Sequence, residues 1–133
     1  MKKYYYSIGK RKNAVAQIYL RKTKNNYSFK INKKDINLYF KNNIYYLNKI
    51  DYPFILTNNL KNNFNININV KGGGLSGQTD SIILALSRIF CKIDKINFKI
   101  LKKNKLLTRD SRKVERKKFG RKKSRKKFQF SKR

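Results

Sequence analysis

Histidine is missing from this chain of 133 residues, and with it the side chain that most often moves protons near neutral pH. Cysteine occurs once, at Cys91, so neither an internal disulfide nor a zinc finger can be assembled. Cys91 falls in an apolar, helix-like run and reads as a small core residue rather than a nucleophile. Acids are scarce: Asp35, Asp51, Asp80, Asp94, Asp110 and Glu115 are scattered, the last two among cations, where local ion pairs are expected. With no Ser/His or Cys/His pair, these residues point away from an enzyme. Long apolar runs are also lacking. The longest, Ile82–Leu86, falls far short of the roughly 20 residues a bilayer span needs, so no membrane partner is expected. The opening "MKKYYYSIGKRKN" has neither the apolar stretch of a secretory signal nor the pattern of a transit peptide, and the protein is expected to work where it is made.

What the chain has in excess is positive charge. Lys and Arg number 36 against 6 acids, a formal net charge of +30. Residues 1–101 carry 19 basic and 4 acidic groups; residues 102–133 carry 17 and 2, so each part is net +15. The natural counter-surface is a polyanion, and nucleic acid is the expected one. Lysine outnumbers arginine three to one, Asn and Ile abound and Trp is absent, as an AT-rich genome would give. An organelle (plastid, apicoplast or mitochondrion) is the expected setting, with an AT-rich bacterial cytoplasm as the alternative.

Two regions follow from the patterning: a folded core over 1–101 and a basic tail over 102–133. "AVAQIYL" (14–20) and "YSFKIN" (27–32), separated by the polar "KTKNN", predict an antiparallel hairpin. "KKDINLYF" (33–40) predicts a short helix, and a second is expected to end before Pro53. "FNININV" (64–70) alternates strictly, so Phe64, Ile66, Ile68 and Val70 form the buried face of a strand. "TDSIILALSRIF" (79–90) places Ile82, Ile83, Leu86, Ile89 and Phe90 along one helix side, with Ser76 as candidate cap and Asp80 in the first turn. Beyond Lys102 the apolar periodicity stops. Alone in water the tail should be disordered, and if extended its roughly 30 residues reach at most about 100 Å.

Between strand and helix stands "KGGGLSGQTD". Gly72, Gly74 and Gly77 satisfy G-x-G-x-x-G, and Gly72 with Gly77 is a near-miss to a Walker loop with Gln78 in the lysine's place. The missing lysine weakens the second pattern, and the absence of a following parallel strand weakens the first. No soluble cofactor or small-molecule substrate is expected. Glycines do let backbone approach closely, and a helix N-terminus attracts anions, so Lys71, Gly72, Gly73, Gly74, Ser76 and Gln78 are candidate RNA contacts. The glycines could equally do no more than turn the strand into the helix.

The ordered stretches "GKRKNAVAQIYL", "INKKDINLYF", "VKGGGLSGQ", "LTRDSRKVERKKFG" and the terminal "QFSKR" together resemble the small-subunit ribosomal protein nine family over essentially the whole chain. The resemblance implies an α+β core with a mixed four-stranded sheet, helices packed on one face, a left-handed crossover and a long extended basic C-terminal tail. It also implies a place in the small-subunit head beside neighbouring head proteins, bound to small-subunit rRNA. The tail's last residues, here Ser131, Lys132 and Arg133, would lie near the anticodon stem-loop of peptidyl-site tRNA. Phosphate contacts are assigned to Lys10, Arg11 and Lys12, and in the tail to Arg109, Arg112, Lys113, Arg116, Lys117 and Lys118. Arg121, Lys122, Lys123, Arg125, Lys126 and Lys127 extend that row. Gln17 stands where the family usually has arginine, Phe128 where proline is common, and many family arginines are lysines, which lack the bidentate fork. Phe119, Phe128 and Phe130 are placed either to stack on unpaired bases or to fill gaps in folded RNA. Two rivals use the same features: a nucleotide-dependent enzyme built on the glycine loop, and a chromatin-like packaging protein.

Overall fold

The alternating segment from Phe64 forms the middle strand of a five-stranded mixed sheet in the computed structural model, which describes residues 4–132. The strands are β1 (Tyr4–Arg11), β2 (Ala14–Lys22), β3 (Ser28–Ile31), β4 (Lys34–Asp35) and β5 (Phe64–Lys71), in spatial order β1-β2-β5-β3-β4. β5 is antiparallel to β2 and parallel to β3. The helices are α1 (Ile36–Tyr39), α2 (Ile44–Leu56), α3 (Leu75–Ile93) and α4 (Asn97–Lys103).

Alternation on the strands and helical periodicity on α3 meet in one core. Phe64, Ile66, Ile68 and Val70 of β5 join Ala16, Ile18 and Leu20 of β2 and Ile82, Leu86, Ile89 and Phe90 of α3. Each buried Ile or Leu contributes about 1.5–3 kcal/mol relative to exposure. The rings of Phe29, Phe54, Phe64 and Phe90 contact one another at centroid distances of 5.0–6.4 Å, linking β3, α2, β5 and α3. The opposite sheet face turns Tyr6, Tyr19, Asn67 and Asn69 to the outside.

Close approach sets the position of α3. A Cβ on Gly9 would lie 1.9 Å from the Ser81 carbonyl oxygen, so β1 and α3 touch backbone to backbone there. The Ser81 hydroxyl donates to the carbonyls of Gly77 (2.7 Å) and Ala14 (3.2 Å). Further along α3, Arg88 and Lys92 donate to the carbonyls of Ile8 and Tyr6, each at 2.7 Å. These are backbone acceptors of an edge strand. On the other side of β5, Asn32 ends β3 at φ 48°, and its side chain exchanges two hydrogen bonds with the Val70 backbone (2.8 and 3.0 Å). The amide thus continues the ladder where the backbone turns away.

Several expectations are corrected. The segments 14–20 and 27–32 are strands but not a hairpin, because β5 lies between them; the partner of β2 is β1. β1 puts Ser7 and Gly9 on its buried face, so it has little apolar alternation to detect. The four-stranded sheet gains a fifth, two-residue strand, β4, in place of the first turn of the expected helix over 33–40. Helix α2 does not end before Pro53 but continues to Leu56, with the Pro53 ring buried. Proline removes only one donor, and the packing of Phe54 on Phe90 holds the last turn. The cap of α3 is Gly74, not Ser76, and Asp80 lies beyond the first turn. α4 buries Leu101, and Leu106 and Leu107 pack on the core just beyond it.

Candidate nucleic-acid interface

α3 starts at a corner of the molecule with no side-chain cap, leaving its first N–H groups without partners in the helix. The loop that delivers it needs its glycines: Gly72 and Gly73 have φ of 73° and 65°, and a Cβ on Gly72 would meet the Asn13 carbonyl oxygen at 2.5 Å. That contact seats the loop against the β1–β2 turn, where Lys12 adopts φ 52°. In register across the sheet, Lys10 faces Val15 and Val15 faces Lys71. The exposed Lys10, Lys12, Lys71, Gly72, Gly73, Gly74 and Ser76 therefore gather beside the start of α3, a setting that favours a phosphate. Gln78 has a structural task in this corner. Its Nε2 donates to the Gly72 carbonyl (3.2 Å), and its Oε1 accepts from the Tyr39 hydroxyl (2.6 Å).

Arg11 behaves unlike its neighbours. Its side chain is 16% exposed and points inward, pairing with Asp110 (3.2 Å) and Asp80 (3.7 Å). It also donates to the Arg112 carbonyl at 2.8 Å. Asp80 in turn holds Lys49 at 3.4 Å. Whereas the sequence reading assigned Arg11 to a phosphate, here its side chain is the hub that fastens the root of the tail to the core. Asp110 also accepts from the Arg112 side chain (2.8 Å) and backbone N–H (3.0 Å). These Arg112 hydrogen bonds, aided by the Arg11 charge, hold its carboxyl well below the usual range. The local pair of Asp110 with Arg112 fits the expectation of ion pairs there, but Arg11's part in the knot was missed because its partners lie 69 to 101 positions away, with no local pattern to connect them.

From Thr108 to Lys132 the chain has no helix or strand. It is not one straight extension either. Glu115 accepts two hydrogen bonds from Arg125 (2.8 and 3.0 Å), the Ser124 hydroxyl donates to the Glu115 carbonyl, and Gly120 bends at φ 69°. Glu115 and Gly120 fold the tail back locally, and the Arg125 hydrogen bonds lower the Glu115 carboxyl pKa. Arg109, Lys113, Arg116, Lys117, Lys118, Lys122, Lys123, Lys126 and Lys127 are exposed, Arg121 is half-buried, and none pairs with a carboxylate among the described residues. Phe119, Phe128 and Phe130 are exposed too, with Lys122 over the Phe128 ring at 5.8 Å. Ser131 and Lys132 are exposed at the end; Arg133 lies outside the described residues. Burial raises the pKa of the Cys91 thiol and so disfavours the thiolate. Among the described residues no His, Cys, Asp and Glu cluster could hold a metal ion, and no helix is long and apolar enough to cross a membrane.

The sequence matches the family model described as ribosomal protein S9/S16 over residues 9–133. The chain belongs to that family. It is 51% identical to small ribosomal subunit protein uS9 of Christiangramia forsetii, over 96% of this chain and 97% of that one. The uS9 of Chlorobium luteolum is 44% identical over the whole of both chains, and that of Borreliella burgdorferi 47% identical over 94% of this chain and 89% of that one. As a member of the S9/S16 family, the chain is a structural constituent of the small ribosomal subunit and not an enzyme, and its location is the ribosome.

Proposed function

We propose that the chain binds small-subunit rRNA in the head of the particle through two linked surfaces. One is the corner formed by Lys10, Lys12, Lys71 and the start of α3; the other is the tail from Arg109 to Lys127. The observation that carries this is the knot at Arg11, which roots the tail beside that corner and brings Arg109 to the same cavity as Lys10, so that the two sets of cations meet. Phosphates neutralise them, and counterion release supplies much of the affinity. Arg11 positions the tail and leaves phosphate contact to the lysines around it. The tail tip, Ser131, Lys132 and Arg133, reaches peptidyl-site tRNA, and other head proteins flank the core. The bacterial relatives favour an AT-rich bacterial cytoplasm over an organelle as the ribosome's setting.

Sedimentation tests the rRNA part. The protein should migrate with small subunits through a gradient and stay with them after a high-salt wash, whereas a packaging protein would leave. Removing residues 131–133 tests the tip: subunits carrying the shortened chain should retain peptidyl-site tRNA less well. Retention equal to the full chain would remove the tRNA role and leave rRNA binding standing.

A further inference from the structure

The sheet has a face that no helix covers among the described residues, and its composition is specific. In register across β1 and β2, Tyr6 lies opposite Tyr19, and their rings contact at 4.9 Å between centroids, tilted by 37°. Both are exposed, at 39% and 41%. Next to Tyr19 on β5 is Asn67, and beside it Asn65, Asn69 and, on β2, Gln17 share the face. None of these four amides has a side-chain hydrogen-bond partner among the described residues, whereas the amides of Asn32, Gln78 and Asn97 are all engaged. Around the rings stand Lys10, Arg21, Lys30 and Lys71; the one acid on this face, Asp35, sits at the far edge in β4, opposite Lys30.

We infer that this open face is a second RNA-binding surface, built for an unpaired stretch rather than a duplex, with Tyr6 and Tyr19 as the stacking platform. The inference rests on the rRNA-binding role proposed above and adds a surface on the opposite side from the helices. Three properties favour an unpaired strand. Exposed rings on a sheet offer flat contact to bases, which a duplex keeps stacked inside. Free amides carry both donor and acceptor, as base edges require. A nearly cation-only rim matches a phosphate backbone and disfavours an acidic protein partner. Codon bias accounts for many Asn in the chain, but not for two rings in register inside a ring of cations.

The test uses the full chain and two probes, a fluorescent single-stranded oligouridine and an RNA duplex of equal length. Tyr6→Val with Tyr19→Val keeps strand preference and removes the rings. Oligouridine affinity should fall about 5-fold or more, because base–aromatic stacking is worth that much per base. Duplex affinity and both salt slopes should stay as in the parent, since no charge has changed. Equal oligouridine affinity in parent and variant overturns the inference. Asn67→Asp, at an exposed position beside Tyr19, provides a second variant should the double change disturb the fold; it should weaken oligouridine binding, and no weakening counts against the surface. In assembled subunits, ultraviolet crosslinks at Tyr6 and Tyr19 themselves should carry nucleotides. If Lys30 crosslinks instead to a neighbouring protein and Tyr6 and Tyr19 carry no nucleotide, the face is a protein contact and the inference fails. Neither failure touches the tail: loss of salt-dependent binding by the whole chain, or failure to sediment with small subunits, would sink the broader rRNA role.

Discussion

Single atoms decide the two residues on which the geometry turns. At Gly9 an added methyl would overlap the Ser81 carbonyl, and both parties are backbone, so α3 must move away from β1. Gly9→Ala should lower stability by about 1–3 kcal/mol in a denaturant titration, the range for overpacking a close contact. Asp110 gives a prediction in pH. Its folded pKa is depressed, so its stabilising contribution is complete above the ordinary carboxylate range and disappears as pH falls below that range. An NMR titration should show the Arg112 N–H and the Asp110 carboxyl changing together on the acid side. Because the Arg112 hydrogen bonds are the larger cause, Arg112→Gln should raise that midpoint more than Arg11→Gln does. Arg11→Gln should instead loosen residues 108–112, read as faster amide exchange, and hardly alter the salt dependence of RNA binding.

Among the elements, the tail can be separated from the core only at the right residue. Leu101 is buried in α4, Leu106 and Leu107 pack on the core, and Asp110 and Arg112 hold Arg11, so removing 113–133 should leave the melting temperature close to that of the full chain. Removing 102–133 should lower it. The shorter deletion should still flatten the salt dependence of RNA binding, by about 0.7–0.9 in log K per log salt for each phosphate that the tail neutralises in the full chain. The strand β5 and the core face of α3 were legible because strong alternation and helical spacing each occur within a single segment. β1 was not, since its inward positions are Ser7 and Gly9, chosen for closeness to α3 rather than for apolar character. The order β2-β5-β3 was hidden for another reason: adjacent segments with a polar turn look like a hairpin, and only the whole core shows that β5 inserts between them. At the candidate interface, charge and motif picked out the lysines and glycines that the fold gathers at one corner, whereas Arg11's inward pairing depended on acids distant in sequence.

For the whole molecule, the net charge of +30 governs behaviour outside the particle. Like charges repel within the fold, and added salt screens them. The melting temperature of the isolated chain should therefore rise from low to moderate salt, and heparin should raise it further by binding the folded form. A melting temperature that falls with salt would mean that the ion pairs at Asp80 and Asp110 outweigh the repulsion. One small detail bears on the life of copies that have not yet found a ribosome. With Lys92 and Arg88 occupying the carbonyls of Tyr6 and Ile8, the β1 edge of the sheet is already partly plugged. Newly made copies are thus discouraged from zippering together into fibrils while they wait, and assembly partners must grip side chains instead of lengthening the sheet.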